Sequence, residues 1–301
     1  MKVSSIVKML VASLSIASLA LVVASAPSQS ATAATTKKLL WSQEFNGKKR
    51  VGIDKRYFTH DLGNGFGWGN NEKQYYTASS SNILTDGKGN LVITAKRIPE
   101  TSSILNFCDD CQFTSAKVKT ADKLGFMYGR LEARIKTPAG SGMWPAFWML
   151  GASLTEGDTW PDCGEIDILE GKGSEPNRVY GTVHGPGYFG GDGITNTWSL
   201  DKPLSSTYNV YAIEWFPNKI NWYINNKLFH TVTPKSVGTN KWVFNKPFFM
   251  ILNLAMGGRF TGDLDPDLTS AKMYVDYIRY YTINGQGKVI GTAAAIKAGK
   301  P

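Results

Sequence analysis

Short β-rich runs punctuated by turn residues recur along this chain, and outside its apolar N-terminal stretch no segment sustains the 3.6-residue spacing of an amphipathic helix. That combination leaves few architectures open. The runs lie at Leu39 to Phe45, Asn90 to Arg97, Gln112 to Thr120, Phe126 to Lys136, Trp144 to Leu150, Glu165 to Glu170, Arg178 to His184, Val210 to Phe216, Ile220 to Asn225, Pro247 to Ala255 and Lys272 to Thr282. Between them, Asn64-Gly65, Asp86-Gly87-Lys88-Gly89, Pro138-Ala139-Gly140, Phe216-Pro217-Asn218 and Asn225-Asn226 carry turn chemistry. In Tyr128 to Lys136 the register is legible: Leu131, Ala133 and Ile135 point one way and Arg130, Glu132, Arg134 and Lys136 the other, which predicts a strand with one wet face. Many such strands and almost no helix predict an all-β fold, a two-sheet antiparallel β-sandwich of the jelly-roll, concanavalin-like kind.

The N-terminus reads as a targeting segment. Lys2 and Lys8 precede an apolar stretch from Met9 to Ala24, too short for a comfortable membrane span, and A-x-A sites follow at Ala24-Ser25-Ala26 and Ala31-Thr32-Ala33. Residues 1–33 are therefore expected to be a secretory signal peptide that is removed, leaving a secreted, extracellular chain with no membrane span. Residues 34–282 fit one large β-domain, and residues 283–301, which lack a core pattern, are expected to be a loosely held tail. The formal charge of +9 falls to +7 once Lys2 and Lys8 leave with the signal peptide. It is dispersed, with no basic stripe interleaved with aromatics, so nucleic acid is not an expected partner. In an exported chain Cys108 and Cys111 are expected to pair locally, while Cys163 is left over as a buried free thiol or a site-lining side chain. His60, His184 and His230 lie too far apart in sequence for a zinc motif.

The segment Gly164-Glu165-Ile166-Asp167-Ile168-Leu169-Glu170 carries three carboxylates separated only by aliphatic side chains. In an extended strand Glu165 and Asp167 share one face and Ile166 and Ile168 the other, but Glu170 has the wrong parity. One extra residue bulged out near Ile168 or Leu169 restores the alternation and turns Glu170 onto the face of the other two acids. Two such carboxyl groups roughly 5 to 5.5 Å apart are what a retaining glycosidase uses as nucleophile and proton donor. A half-solvated strand and a calcium site are the competing readings; against the second, no glycine interrupts the acids before Gly171 to wrap them around an ion. Trp144 and Trp148, four residues apart, share a face of an extended segment, and indoles stack on the apolar faces of sugar rings, although core packing explains either Trp taken alone. Trp68 to Tyr76 crowds amides and aromatics into a loop suited to hydroxyl-rich ligands.

The acid motif together with Trp144 to Leu150, Asn70 to Tyr76, Tyr211 to Trp215, Ile251 to Gly258 and Val275 to Arg279 resembles a bacterial laminarinase-type enzyme of glycoside hydrolase family 16, from about Trp41 to Tyr281. The spacing of Asp167 and Glu170 resembles the bulged laminarinase form rather than the lichenase form, which has one residue fewer. The resemblance implies a β-jelly roll with a concave substrate cleft and endo-hydrolysis of β-1,3-glucan with retention, by double displacement. By position it implies that Glu165 is the nucleophile, Glu170 the acid/base, Asp167 the assisting carboxylate and His184 a histidine near the acid/base. Asn71, Arg97, Trp144 and Trp148 match positions that line sugar subsites, and Phe260 stands where the family often has Trp. The resemblance implies no cofactor for catalysis and a structural calcium held by Glu44, the carbonyl of Gly87 and Asp276. The expected partner is a β-glucan polysaccharide and the default state a monomer. Mixed-linkage β-1,3-1,4-glucan or galactan hydrolysis and transglycosylation at the same site, and a non-catalytic β-glucan-binding module, are the alternatives.

Overall fold

The computed structural model describes residues 35–49 and 52–292. The expected signal peptide at residues 1–33 lies outside them, as do residues 293–301 of the expected tail. Two sheets form the fold. In the ten-stranded sheet the order is Lys227–Val232, Lys219–Ile224, Asn209–Phe216, Gly129–Lys136, Ser270–Ile283, Leu91–Arg97, Phe113–Ser115 and Gln74–Tyr76, with Lys37–Gln43 and Ile83–Thr85 added at its sides. The nine-stranded sheet runs Ile194–Ser199, Arg178–His184, Glu165–Gly171, Met143–Gly151, Phe248–Met256, Lys117–Lys119 and Thr59–Asp61, with Leu124–Met127 and Lys288–Gly291 off this path. Pairing is antiparallel, as expected, except between Gln74–Tyr76 and Phe113–Ser115, which run parallel. Among the described residues there is no α-helix, only five short 3-10 turns, and no helix is long and apolar enough to cross a membrane.

The inner faces of the sheets meet in one apolar core. Trp41, Trp215, Trp222, Phe126, Phe147, Ile166, Ile168 and Leu169 are all buried there, and each fully buried aliphatic side chain contributes about 1.5–3 kcal/mol. Many strands therefore alternate as the sequence pattern requires, but Phe248–Met256 is buried along its whole length. The predicted wet face of Gly129–Lys136 is covered at one end: Arg130 is only 2% exposed and Glu132 only 8%, while Arg134 and Lys136 stay half-buried. This strand lies mid-sheet between Asn209–Phe216 and Ser270–Ile283, and Arg130 bonds Glu132 (2.7 Å), Glu214 (3.2 Å) and Asn226 (3.1 Å), so its charge is buried with its partners. The expected tail also needs correction. After the Ile283–Gln286 turn the chain returns as Lys288–Gly291 on Leu124–Met127, fastened by the Tyr280 hydroxyl, which accepts from the Lys288 amide (2.9 Å).

Candidate active site

The acid motif forms the Glu165–Gly171 strand, and the register breaks where the parity argument requires. Against Met143–Gly151, Asp167 faces Trp148 while Leu169 faces Phe147, so Ile168 is the extra residue. Against Arg178–His184, Glu165 faces His184, Asp167 faces Thr182 and Glu170 faces Tyr180, with the shift between Asp167 and Glu170. Ile166, Ile168 and Leu169 all enter the core. Their burial holds the bulge inward, and it leaves the three carboxylates together on the outer face of the sheet.

The bulge is also gripped from the opposite sheet. Trp222, fully buried in Lys219–Ile224, donates its indole N–H to the Asp167 carbonyl at 2.7 Å. Its ring has room because Gly181 lies beside it; a Cβ there would sit 2.7 Å from Trp222 Cδ1. Nothing near the acid motif in sequence announces this contact, because the partners are 55 residues apart.

Asp167 is buried, Glu165 and Glu170 are half-buried, and few cations lie near them. Asp167 is 2% exposed, and His184 Nε2 lies 3.3 Å from its Oδ2. Single ligand atoms of Glu165, Asp167 and His184 all fall within 4.8 Å of one another. Burial, then the charge of Asp167, pushes Glu165 up to about 8, opposed by His184 and by a hydrogen bond from Trp160 Nε1. Burial likewise pushes Glu170 up to about 7, opposed chiefly by His184 and assisted by the Glu165 charge. Asp167 is raised well above its ordinary value by burial and by Glu170. Each acid feels another's charge, so the three take up protons as a set. His184 is packed tightly in turn: a Cβ on Gly193 would lie 2.4 Å from its Cε1.

Aromatic walls flank this row. Trp144 donates to Glu170 Oε1 at 3.0 Å, and its ring lies 4.7 Å from Phe260 and half-buried. Trp148 donates to Asn253 Oδ1 at 2.7 Å. Between the two indoles the strand carries Ala146, opposite both Glu170 and Asn253, so no bulky side chain covers the floor there. Further along, the ammonium of Lys117 lies 5.0 Å from the Trp148 ring and 4.1 Å from that of Trp68, with Asp61 3.6 Å away. Burial lowers the Lys117 pKa. Asn71, in a left-handed backbone conformation at φ 58°, is exposed and lines two adjoining concavities.

Other expected residues are placed differently. Arg97 donates to the carbonyls of Leu268 (2.7 Å) and Asp265 (2.9 Å) and covers the Phe113 ring, so its guanidinium anchors a loop where a sugar contact was expected. The expected calcium ligands do not fit an ion as they stand. Glu44 is held by Arg279 through two hydrogen bonds (2.9 and 2.8 Å), and Asp276 bonds Arg134. A divalent cation would meet two guanidinium groups, and Gly87 is packed with its Cβ position 2.8 Å from Lys49 Cβ. Cys108 and Cys111 are disulfide-bonded, and Cys163 is a buried thiol whose pKa burial pushes up to about 11. Trp160 escaped the sequence reading; its signal was an aromatic beside a proline five residues before Glu165, in a turn-rich segment. Lys117 also escaped, although a lysine inside a β-rich run was visible.

Residues 70–279 match the family model described as glycosyl hydrolases family 16. A β-glucanase of Rhodothermus marinus is 38% identical over 253 residues, 81% of this chain and 85% of that protein. The X-ray structure of an endo-β-1,3-glucanase from Pyrococcus furiosus is 42% identical and superposes with a TM-score of 0.74 over 82% of this chain and 95% of that one. The catalytic domain of an endo-1,3-β-glucanase (laminarinase) from Thermotoga petrophila is 37% identical, with a TM-score of 0.76 over 84% of this chain and all (100%) of that one. The fold thus has its counterpart in known enzymes, and the chain belongs to glycosyl hydrolases family 16.

Proposed function

We propose that this chain is an exported endo-β-1,3-glucanase that cleaves laminarin-like chains with retention. The observation that carries the reading is the bulge at Ile168, which turns Glu170 onto the face that Glu165 and Asp167 occupy. The names of the relatives support the substrate class, and the leader-like N-terminus supports export.

In this mechanism Glu165 attacks the anomeric carbon while Glu170 gives its proton to the departing glycosidic oxygen. A covalent glycosyl-enzyme results. Glu170, now a carboxylate, takes a proton from the water that attacks the same carbon, and Glu165 leaves as a carboxylate. The chemistry needs Glu165 ionised and Glu170 protonated, yet in the free protein Glu165 is pushed up to about 8 and Glu170 to about 7. Because the three acids titrate as a set, the reactive form is the one with Glu165 ionised and Asp167 and Glu170 protonated; the Trp160 hydrogen bond and the nearby His184 favour the charge on Glu165. Glu170 accepts only the Trp144 N–H and keeps its proton near neutrality. No cofactor enters any step.

The test is hydrolysis of laminarin by the mature protein and by Glu165→Gln, with products resolved by length. Internal cleavage by the first and loss of about three or more decades of rate in the second are expected. A protein inert on every β-glucan, or a variant that keeps full rate, overturns the reading.

A further inference from the structure

The two most exposed large apolar side chains among the described residues are Phe66, at 103%, and Phe107, at 78%. They are neighbours across one concavity of about 580 Å³, whose lining also includes Asn71, Lys73 and Asp110. Bare phenyl rings beside water are unfavourable unless something covers them.

Neither ring sits on a slack segment. Phe66 and Trp68 hold left-handed backbone angles (φ 54° and 51°) in the Gly65–Gly69 turn, a conformation that side chains with a Cβ avoid. Asn64 locks that turn, accepting from the Gly67 amide at 2.6 Å and donating to the Glu72 and Gln74 carbonyls at 3.1 and 2.9 Å. The Phe107 loop has its own anchors. These are the Cys108–Cys111 disulfide, a small core of Ile98, Cys108 and Cys111, and bonds from the Gln112 amide to the Lys73 carbonyl (2.8 Å) and from Lys73 to Asp110 (3.4 Å). Two separately braced loops therefore hold their rings out in solvent.

The concavity lies on the Trp68 side of the acids. Asp167 pairs with Trp148, whose ring lies 5.0 Å from the Lys117 ammonium, and that ammonium lies 4.1 Å from the ring of Trp68, in the same turn as Phe66. Asn71, a position matched to a sugar subsite, lines the concavity as well.

We propose that Phe66 and Phe107 form a distal glucan-binding site, on which sugar rings of the bound chain stack while their hydroxyls meet Asn71, Lys73 and Asp110. The site takes a β-1,3-linked glucose chain long enough to reach from the acids past Trp68, and it makes the enzyme favour polymer over short fragments. This rests on the glucanase reading above. The pairing of apolar rings with a few polar groups in a concave site is what hydroxyl-rich ligands require.

The experiment compares kcat/KM for long laminarin and for a β-1,3-glucose trisaccharide in the wild type, in Phe66→Ala/Phe107→Ala, and in Phe66→Trp/Phe107→Trp. In parallel, laminarin affinity is measured in the Glu165→Gln background with and without the two rings. The ratio of polymer to trisaccharide is expected to fall about tenfold in the alanine variant and to recover in the tryptophan variant, and affinity in the Glu165→Gln background to fall about tenfold. An unchanged ratio together with unchanged affinity overturns the proposal. A wild type inert on laminarin overturns the glucanase reading alone, since the binding comparison still decides the distal site.

Discussion

Two regions of this molecule bury charge, one in each sheet, and they do it in opposite ways. Around Arg130 in the ten-stranded sheet the guanidinium meets Glu132, Glu214 and Asn226, Lys37 reaches Glu214 at 3.4 Å, and the charges neutralise one another. Around Glu165, Asp167 and Glu170 in the nine-stranded sheet there are three carboxylates with one imidazole and two indole N–H groups near them. Those groups offset burial only in part, so the acids rise in pKa. A satisfied ion network serves the fold; acids kept apart from cations inside a cleft are poised for proton transfer.

That contrast gives predictions of decreasing size. Glu170→Gln removes the proton donor and is expected to lower kcat on laminarin about 10²–10⁴-fold while circular dichroism and Tm show an intact fold. A large loss of Tm with modest loss of rate would place Glu170 with the structural charges instead. Arg130→Met should do the reverse, destabilising by about 3–5 kcal/mol in denaturant unfolding because Glu132 loses its cation and Glu214 keeps only Lys37, with the pH profile of the surviving native enzyme unmoved. Trp222→Phe keeps the core filled but frees the Asp167 carbonyl. A fall in kcat of about 10–100-fold, with a displaced pH profile and little change in KM, is the expected signature of a positioning residue. Smallest is a stability effect. Glu165 has a folded pKa of about 8 against an ordinary value of 4.5, so its contribution is fully present below about pH 4.5 and is lost as pH rises through 8. Glu165→Gln should therefore match the wild type in Tm near pH 4.5 and exceed it at pH 9. Equal Tm values at both pH values would show the glutamate to be as comfortable as those beside Arg130. Activity on the alkaline side should fall as Glu170, raised to about 7, gives up its proton.

How far the sequence reveals each region follows from the range of the interactions. The acid face and the need for a bulge near Ile168 are local consequences of side-chain parity, so seven consecutive residues suffice to read them. The strand Tyr128 to Lys136 alternates just as clearly, yet its polar face is dry at Arg130 and Glu132, because the covering groups Glu214 and Asn226 come from distant strands and loops. Arg97 and the Glu44, Gly87 and Asp276 set were placed by resemblance of position, and their observed partners, loop carbonyls and arginines, are likewise remote in sequence. Short strands such as Thr59–Asp61 and Gln74–Tyr76 escaped because three residues carry too little periodicity, and Lys288–Gly291 because its attachment depends on Tyr280. Trp222 is the extreme case: its role exists only once the two sheets have met.

The indole bond from Trp222 to the Asp167 carbonyl ties chemistry to the completion of folding. A chain with every strand formed but its two layers not yet docked has the acids and lacks the clamp that sets their aim. Competence then requires both layers to be docked, so residual turnover becomes a gauge of how firmly they are pressed together.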